Sequence, residues 1–415
     1  MLRVAVRSVG GELLELEAEP KVNVSKVKEA IASLWRVPPD LQQLLNGSAV
    51  LGDSEPLEAH IGTGADEGLS LTLVVSLHAV CKDLSAGTRN VKKEALSTLS
   101  KLSSRGGEAA IAAVAGCLED ADVGVRFEAV RTLTRVARRG DEHAVTALIG
   151  RLKDTGIGVR HAALWAVELV ALAGDERVID AVSERLEDHD MDMRRTAAEA
   201  LARLAGPGNS RALAAVRARL EHRDACVRRA AVVALPQICQ RGDESLLPTL
   251  CRYLEDVDAG VRRASAEALL GLDAGAEVAS AVGDRLEHWQ REVREAAAEV
   301  LTKLAGRGNA GEPEAALAAV VARLEHRRAR VRRTAVEAVA RVAPRGSDDA
   351  VAAVKPLLEH ESASARRSAL AALETLAASG AAGAAGEAAM RALLADPEPG
   401  VRAAALAALP SAAPG

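Results

Sequence analysis

Aromatic residues are almost missing from this chain. One Tyr, one Phe and three Trp among 415 residues leave Ala, Val and Leu to build the core, although 49% of the residues are hydrophobic. Side chains of that size suit closely packed helices. Cysteine is sparse as well: Cys81, Cys117, Cys226, Cys239 and Cys251 are an odd number with no Cys-x-x-Cys pair. That excludes a secreted disulfide framework and fits reduced, mostly buried thiols in a cytosolic or nuclear compartment. No run of about 18 apolar residues occurs, so no membrane-spanning helix is expected. Arg3, Arg7 and Glu12 interrupt the N-terminus too early for a signal-like apolar core. Charge of one sign is also lacking. The net charge is −5, and residues 1–77 hold six Lys/Arg against eleven Asp/Glu, which leaves the remainder balanced. A neutral array disfavours a dedicated nucleic-acid binder.

What the chain does have is a repeat. The run Leu118–Leu133 centres on Val125-Arg126, and the matching basic residue recurs at Lys92, Arg126, Arg160, Arg194, Arg228, Arg262, Arg294, Arg332, Arg366 and Arg402. The first five intervals are 34 residues and the later ones 32, 38, 34 and 36. So regular a period means stacked supersecondary units, each burying its apolar face against the next. Each repeat reads as two helices. In the third copy, Asp141 or Glu142 opens a first helix with Val145, Leu148, Ile149 and Leu152 inward. A second runs from about Ile157 to Leu172 with Val159, Ala163, Leu164, Val167 and Val170 inward. Gly174-Asp175-Glu176 closes one repeat and opens the next, a punctuation repeated at Gly106, Gly140, Gly208, Gly242, Gly308 and Gly346. Pro236, Pro248 and Pro356 fall inside helical patterns and are expected to kink them. Gly380–Gly386 is an Ala/Gly insertion before a short last repeat. The expected domains are 1–77, 78–410 with about ten helical pairs, and a loose tail at 411–415.

Residues 1–77 differ in pattern. Leu2, Val4 and Val6 alternate with Arg3 and Arg7, Gly10-Gly11 breaks the alternation, and Leu14 and Leu16 resume it, which predicts a β-hairpin. Asn23 or Ser25 can cap a helix with Val24, Val27, Ile31 and Leu34 inward, ended by Pro38-Pro39. Strands are expected at Gln42–Leu45 and Leu69–Val75. Glu19-Pro20, Val27-Lys28, the run Val37–Gly47, Leu57–Ile61 and Leu69–Val75 together resemble the ubiquitin family in order and type. That resemblance implies a β-grasp fold. The segment departs from conjugating members, because it runs through Ser76-Leu77 into the repeats instead of ending in Gly-Gly, and Ser48 stands where a chain-linking lysine would be. The resemblance therefore implies a built-in, non-conjugated module that docks to a ubiquitin receptor through Leu45 and Val74. The alternative for these two residues is ordinary sheet packing.

The repeats carry Leu-Glu-Asp-x-Asp-x-x-Val-Arg-x-x-Ala, complete at Leu118–Ala129; Ser265 replaces the last Ala at Leu254–Ser265 and Met193 replaces Val at Leu186–Ala197. The bulky aromatics of tetratricopeptides and the ankyrin Thr-Pro-Leu-His signature are absent. The pattern resembles the HEAT repeat in its short form, similar to phycobilisome lyase repeats. The expected fold class is thus mainly α, a HEAT-like α-solenoid with a small N-terminal β-grasp domain.

Three constellations could carry chemistry. First, Asp lies six residues before the basic position at Asp120, Asp154, Asp188, Asp256 and Asp396, and four before it at Asp122, Asp190, Asp224 and Asp258. A carboxylate there can cap the second helix and receive the next repeat's guanidinium, a structural ladder through Asp122, Arg126, Asp154, Arg160, Asp190, Arg194, Asp224, Arg228, Asp258 and Arg262. Second, Glu221-His222, Glu287-His288, Glu325-His326 and Glu359-His360 place His in the same turn; stacked helices stand about 8–10 Å apart, too far to gather these His on one metal ion. Turn capping is the better reading, and the only His-Glu pair, His360-Glu361, cannot build an iron site. Third, basic residues are doubled, giving Lys93, Arg195, Arg229, Arg263, Arg333 and Arg367 one position beyond the ladder. Adjacent helical residues point about 100° apart, so these are expected to face outward as a stripe, reinforced by Arg323, Arg327, Arg328 and Arg330. The bland alternative is a solvated face balanced by glutamates.

No catalytic residue, metal site or cofactor is expected. The sequence points to a non-enzymatic scaffold or adaptor, with a protein partner on Arg195, Arg229, Arg263, Arg333 and Arg367, an acidic segment being the natural fit, and a ubiquitin receptor on Leu45 and Val74. A phycobilisome-type chromophore lyase or chaperone is the alternative implied by the repeat resemblance. RNA binding through the arginine stripe ranks below it, since no aromatic side chains interleave to stack bases.

Overall fold

The computed structural model describes residues 1–61, 68–307, 309–343, 348–379 and 383–409, and the chain divides into two compact units, Met1–Gly206 and Pro207–Gly415. Gly308, Gly346, the start of the Ala/Gly insertion and the tail from Pro410 lie outside the described residues.

The first unit begins with a five-stranded mixed sheet of order β2-β1-β5-β3-β4, made of β1 (Leu2–Ser8), β2 (Leu13–Ala18), β3 (Gln42–Asn46), β4 (Ala49–Val50) and β5 (Leu69–Val75). The expected hairpin is β1–β2, and β1 pairs parallel with β5. The short β4 was not expected; two residues after Gly47, whose φ is +60°, give too brief an alternation to read. Val4, Val6, Leu44, Leu69, Leu71 and Leu73 form the buried face. The helix Val24–Trp35 buries Val24, Val27, Ile31 and Trp35. Leu34, expected inward, is 58% exposed: the stripe advances by four residues from Ile31 to Trp35 and leaves Leu34 at its edge. Buried Gln42 ties sheet to helix by donating to the carbonyls of Lys28 and Val37 at 2.9 and 2.7 Å. Arg105, beyond the first helical pair, donates to the Trp35 carbonyl and the Glu12 carboxylate and lies over the Trp35 ring, fastening the sheet segment to the helices that follow.

From His78–Ala86 onward the described residues form helices in pairs, and within each unit the second helix of a pair packs on that of its neighbour. Asp141 opens Glu142–Arg151 by accepting the Ala144 N–H, and Asp175 opens Glu176–Glu184 likewise through Arg177. Gly140, Gly174 and Gly208 have φ of +86°, +82° and +76°, and each donates its N–H to the last turn of the following repeat's second helix, at Val170, Leu204 and Ile238. Glycine is needed there because a Cβ disfavours this backbone. At the first such boundary the left-handed residue is Gly107, not Gly106. Of the three prolines, Pro236 alone stands inside an α-helix, Ala225–Ile238. Pro248 falls in the first turn of Leu246–Tyr253, where no N–H is required, and Pro356 starts a 3-10 turn, Lys355–Glu359, after the α-helix ends at Val354. All five cysteines are free; Cys117, Cys239 and Cys251 are buried, Cys81 and Cys226 exposed.

Candidate functional site

The most repeated side chain is fully employed in structure. Arg126, Arg160, Arg194, Arg228, Arg262, Arg294, Arg332, Arg366 and Arg402 each point Nη1 back at the two carbonyls of their own inter-helix turn, at 2.6 to 3.5 Å. The rest of the guanidinium can then reach forward. Arg126 grips Asp154 through Nε and Nη2, both at 2.8 Å, and Arg228 grips Asp256 in the same way. Arg160 meets Asp188 at 3.0 Å, Arg366 meets Asp396 at 2.7 and 2.9 Å, and Lys92 meets Asp120 at 2.7 Å. The direction reverses the sequence expectation: each carboxylate receives the cation of the preceding repeat, because the guanidinium extends towards the repeat that follows.

The two aspartates also divide their work. The one six residues before the arginine forms the rung. Asp122, Asp190, Asp224 and Asp258, expected as rungs, are N-caps, accepting the N–H of Val125, Met193, Cys226 and Val261 at 2.7 to 3.0 Å. Asp122 and Asp190 add longer pairs, each at 3.3 Å, to Arg89 and His161. Electrostatics follow this geometry. Burial, the largest single influence, would raise the Asp154 and Asp256 carboxyls, but the hydrogen bonds and charge of Arg126 and Arg228, together with the backbone N–H groups of Gly156 and Asp258, outweigh it and hold both below the usual carboxylate value. Asp120 and Asp396 are likewise lowered, chiefly by the bonds from Lys92 and Arg366.

The histidines take the rung aspartate's place in the turn. Nδ1 of His222, His288, His326 and His360 accepts the backbone N–H two residues on, at 3.0 to 3.2 Å, as the Asp154 carboxylate does at 2.8 Å. Nδ1 as acceptor leaves the proton on Nε2, which faces a glutamate of the preceding repeat: Glu255, Glu287 and Glu325 for His288, His326 and His360. Among the described residues no group of three His, Cys, Asp or Glu could hold a metal ion. With His in the turn, Arg262, Arg294 and Arg332 have no carboxylate to grip among the described residues; Arg294 bonds instead to the Thr334 hydroxyl at 3.0 Å.

One residue along, the expected stripe is uneven. Arg195 is exposed but neutralised on its own helix by Glu199 at 2.9 Å and Asp192 at 3.9 Å. Arg263, Arg333 and Arg367 are exposed and Arg229 half-buried, and among the described residues none of the four has a carboxylate within 4.0 Å. Arg229 lies over Gly260 and Arg367 over Gly400 in the repeats that follow. Arg323 drops out of the stripe, being held by Asp284 and Glu287 at 2.7 and 3.3 Å. Glu295 occupies the equivalent position beside Arg294.

Leu45 and Val74 do share the outer face of the sheet. Leu45 stands opposite Thr72 and Val50, Val74 opposite Gln43, and both are half-buried with Gln43 and Thr72 exposed around them. Sequence reasoning missed Trp165 and Trp289, 57% and 68% exposed on a chain that has three Trp. Their register would have found them: Trp165 falls at the position of Arg131 and Glu199, and Trp289 at the turn-tip position that exposed Val257 holds in the preceding repeat.

Comparison with known proteins agrees with the repeat geometry. No curated protein matches the chain. Among solved structures it is similar to an engineered protein from the Northeast Structural Genomics Consortium, at 22% identity and a TM-score of 0.30, covering 80% of this chain and 97% of that one. The model of HEAT repeats matches residues 78–168, 157–236, 215–302 and 279–374. On that match, spanning most of its length, the chain belongs to the HEAT repeat family.

Proposed function

We propose that this protein is a non-enzymatic adaptor that holds a protein partner on the outward arginines of its repeats. The observation that carries the reading is the division of labour between neighbouring residues. The ladder arginines are tied to their own turns, and Arg126, Arg160, Arg228 and Arg366 to rungs as well, whereas Arg229, Arg263, Arg333 and Arg367 stand on the same helices with no carboxylate among the described residues. Unpaired guanidinium groups favour carboxylate-bearing partners, because the planar fork of donors matches a carboxylate in two parallel hydrogen bonds. Arg195, already neutralised, contributes least.

Residues 1–77 form a ubiquitin-like β-grasp module in this reading, and residues 78–410 the repeat scaffold. The module's strand order, with β1 parallel to β5, and its outer-face Leu45 and Val74 support a second docking point, for a ubiquitin receptor. A reducing cytosolic or nuclear compartment suits the five free thiols.

The test is affinity capture with the intact chain, the Arg333→Glu/Arg367→Glu variant and the Leu45→Ala/Val74→Ala variant. Specific proteins should be retained by the parent, with one set lost from each variant. A parent that retains nothing above bare matrix contradicts the adaptor reading, and identical sets on all three contradict these surfaces.

A further inference from the structure

We infer that the groove between the helices Ala329–Val342 and Ala363–Ala378 is a binding site for an extended acidic peptide, whose carboxylates take the place of a missing rung. The inference rests on the adaptor reading and narrows it to one location. The rule of the ladder is that each cation meets an aspartate six residues ahead of the next ladder position. At Arg332 that aspartate is replaced by His360, whose Nδ1 is occupied by the Ser362 N–H and whose Nε2 is turned to Glu325. Among the described residues Arg332 keeps the carbonyls of His326 and Arg327 alone.

The same boundary opens into a groove of about 390 Å³ lined by Arg332, Arg333, Arg367, Ser364 and Ser368, with Val336 on its floor. Residues 327–333 carry five arginines and no carboxylate. Arg333 and Arg367 border the groove from opposite helices, exposed and without a carboxylate partner among the described residues. The site is bounded along the chain. The preceding repeat places Glu292 and Glu295 at the matching positions, with Glu295 paired to Arg291 at 2.6 Å, and the following repeat places Gly400 and Ala403 there. Among the described residues this is the boundary at which two unpaired outward arginines coincide with a missing rung; where Arg229 and Arg263 adjoin, Asp256 fills it.

The spacing defines the ligand. Helices stacked about 8–10 Å apart present Arg333 and Arg367 to carboxylates separated by a similar distance. A chain extended as a polyproline II helix advances about 3.1 Å per residue with three residues per turn, so acidic side chains three residues apart lie on one face about 9 Å apart and match the two helices. The Ser368 hydroxyl, whose proton goes to the Ser364 carbonyl, and the Ser364 hydroxyl, bonded to Ser362, each keep a lone pair that can accept a peptide N–H between them.

The experiment is a fluorescence polarisation titration of the intact protein with a labelled peptide bearing glutamate at every third position. A peptide of equal composition with the glutamates grouped at one end is the comparison. Saturable binding is expected, weaker for the grouped peptide, about tenfold or more weaker in Arg333→Glu/Arg367→Glu, and unchanged in Arg195→Glu. Both arginines are exposed and unpaired, so unchanged thermal unfolding of the double variant should accompany the loss. Equal binding by parent and double variant overturns the site. Tighter binding of a single-stranded RNA oligonucleotide, lost in the same variant, overturns the peptide in favour of nucleic acid. If affinity capture succeeds and survives the double variant, the groove is wrong while the adaptor reading stands; if capture fails altogether, that reading has fallen first.

Discussion

Removing one rung should show how much of the array depends on the ladder. Asp154 is the deepest choice, with a side chain 2% exposed, gripped twice at 2.8 Å by Arg126, whose own side chain is 9% exposed. In Asp154→Ala, Arg126 keeps bonds to the Asp120 and Ala121 carbonyls and the Thr155 hydroxyl, but its buried charge loses its directly bonded counter-ion and is left with the more distant Asp120 and Asp122 carboxylates, while Arg151 loses its 3.5 Å pair. Breaking a buried pair in this way costs about 3–5 kcal/mol, and the remaining bonds place this case near the lower end. The turn also loses its bond from the Gly156 N–H. In Asp154→Asn the amide oxygen can still accept from Gly156 and one guanidinium N–H, but the amide NH2 then faces the Arg126 Nε–H donor to donor and the charge is lost, so its cost should be about 2 kcal/mol, below that of alanine. Because repeat arrays unfold through neighbouring units, the assay is native-state hydrogen exchange on Val123–Val136 and Ile157–Val170, with global denaturant unfolding beside it. A loss below about 1 kcal/mol in Asp154→Ala, or protection lost evenly through the chain, would refute the view of the rung as a local fastening between repeats.

Acid should act on the same rungs. Asp120, Asp154, Asp256 and Asp396 are held below their ordinary value of 3.8, so the unfolded chain binds their protons first. Their stabilisation is present above that value and lost as pH falls through the lower folded values; loss of helical circular dichroism should be confined below about pH 4, and complete loss by about pH 6 would contradict it. For the thiols, Cys81 and Cys226 should react promptly with maleimide in the native protein, whereas Cys239, its thiol pushed up to about 11 by burial, should react only on unfolding. At Gly174, φ of +82° with nothing within 4 Å isolates backbone strain from packing, so Gly174→Ala should cost about 1 kcal/mol in denaturant unfolding, and no measurable change would be a failure of that account.

The fold was largely legible because the repeat states the same thing many times. The spacing of Lys92 to Arg402, the inward stripe of Ile157–Val170 and the left-handed glycines at Gly140, Gly174 and Gly208 are each redundant signals of one packing geometry. What was not legible depends on three dimensions. Whether Asp120 or Asp122 forms the rung turns on which carboxylate points across to the neighbouring repeat and which points into its own helix, and both spacings fit a cap. The direction of each rung follows from Nη1 being tied back to the turn, a constraint with no sequence signature. Leu34 and Trp35 are adjacent apolar residues, and only the exit of the chain through left-handed Arg36 decides which is covered. Arg195, Arg323 and Arg333 look alike in the sequence; their partners, Glu199 on one helix and Asp284 a repeat away, separate them.

The claim at the centre of this account is that the ladder arginine is structural and the residue after it meets the partner. It is tested most directly by titrating the acidic peptide into the Arg333→Glu/Arg367→Glu protein and the parent side by side. The account predicts affinity reduced about tenfold or more with thermal unfolding unchanged. Undiminished affinity in the double variant would contradict it.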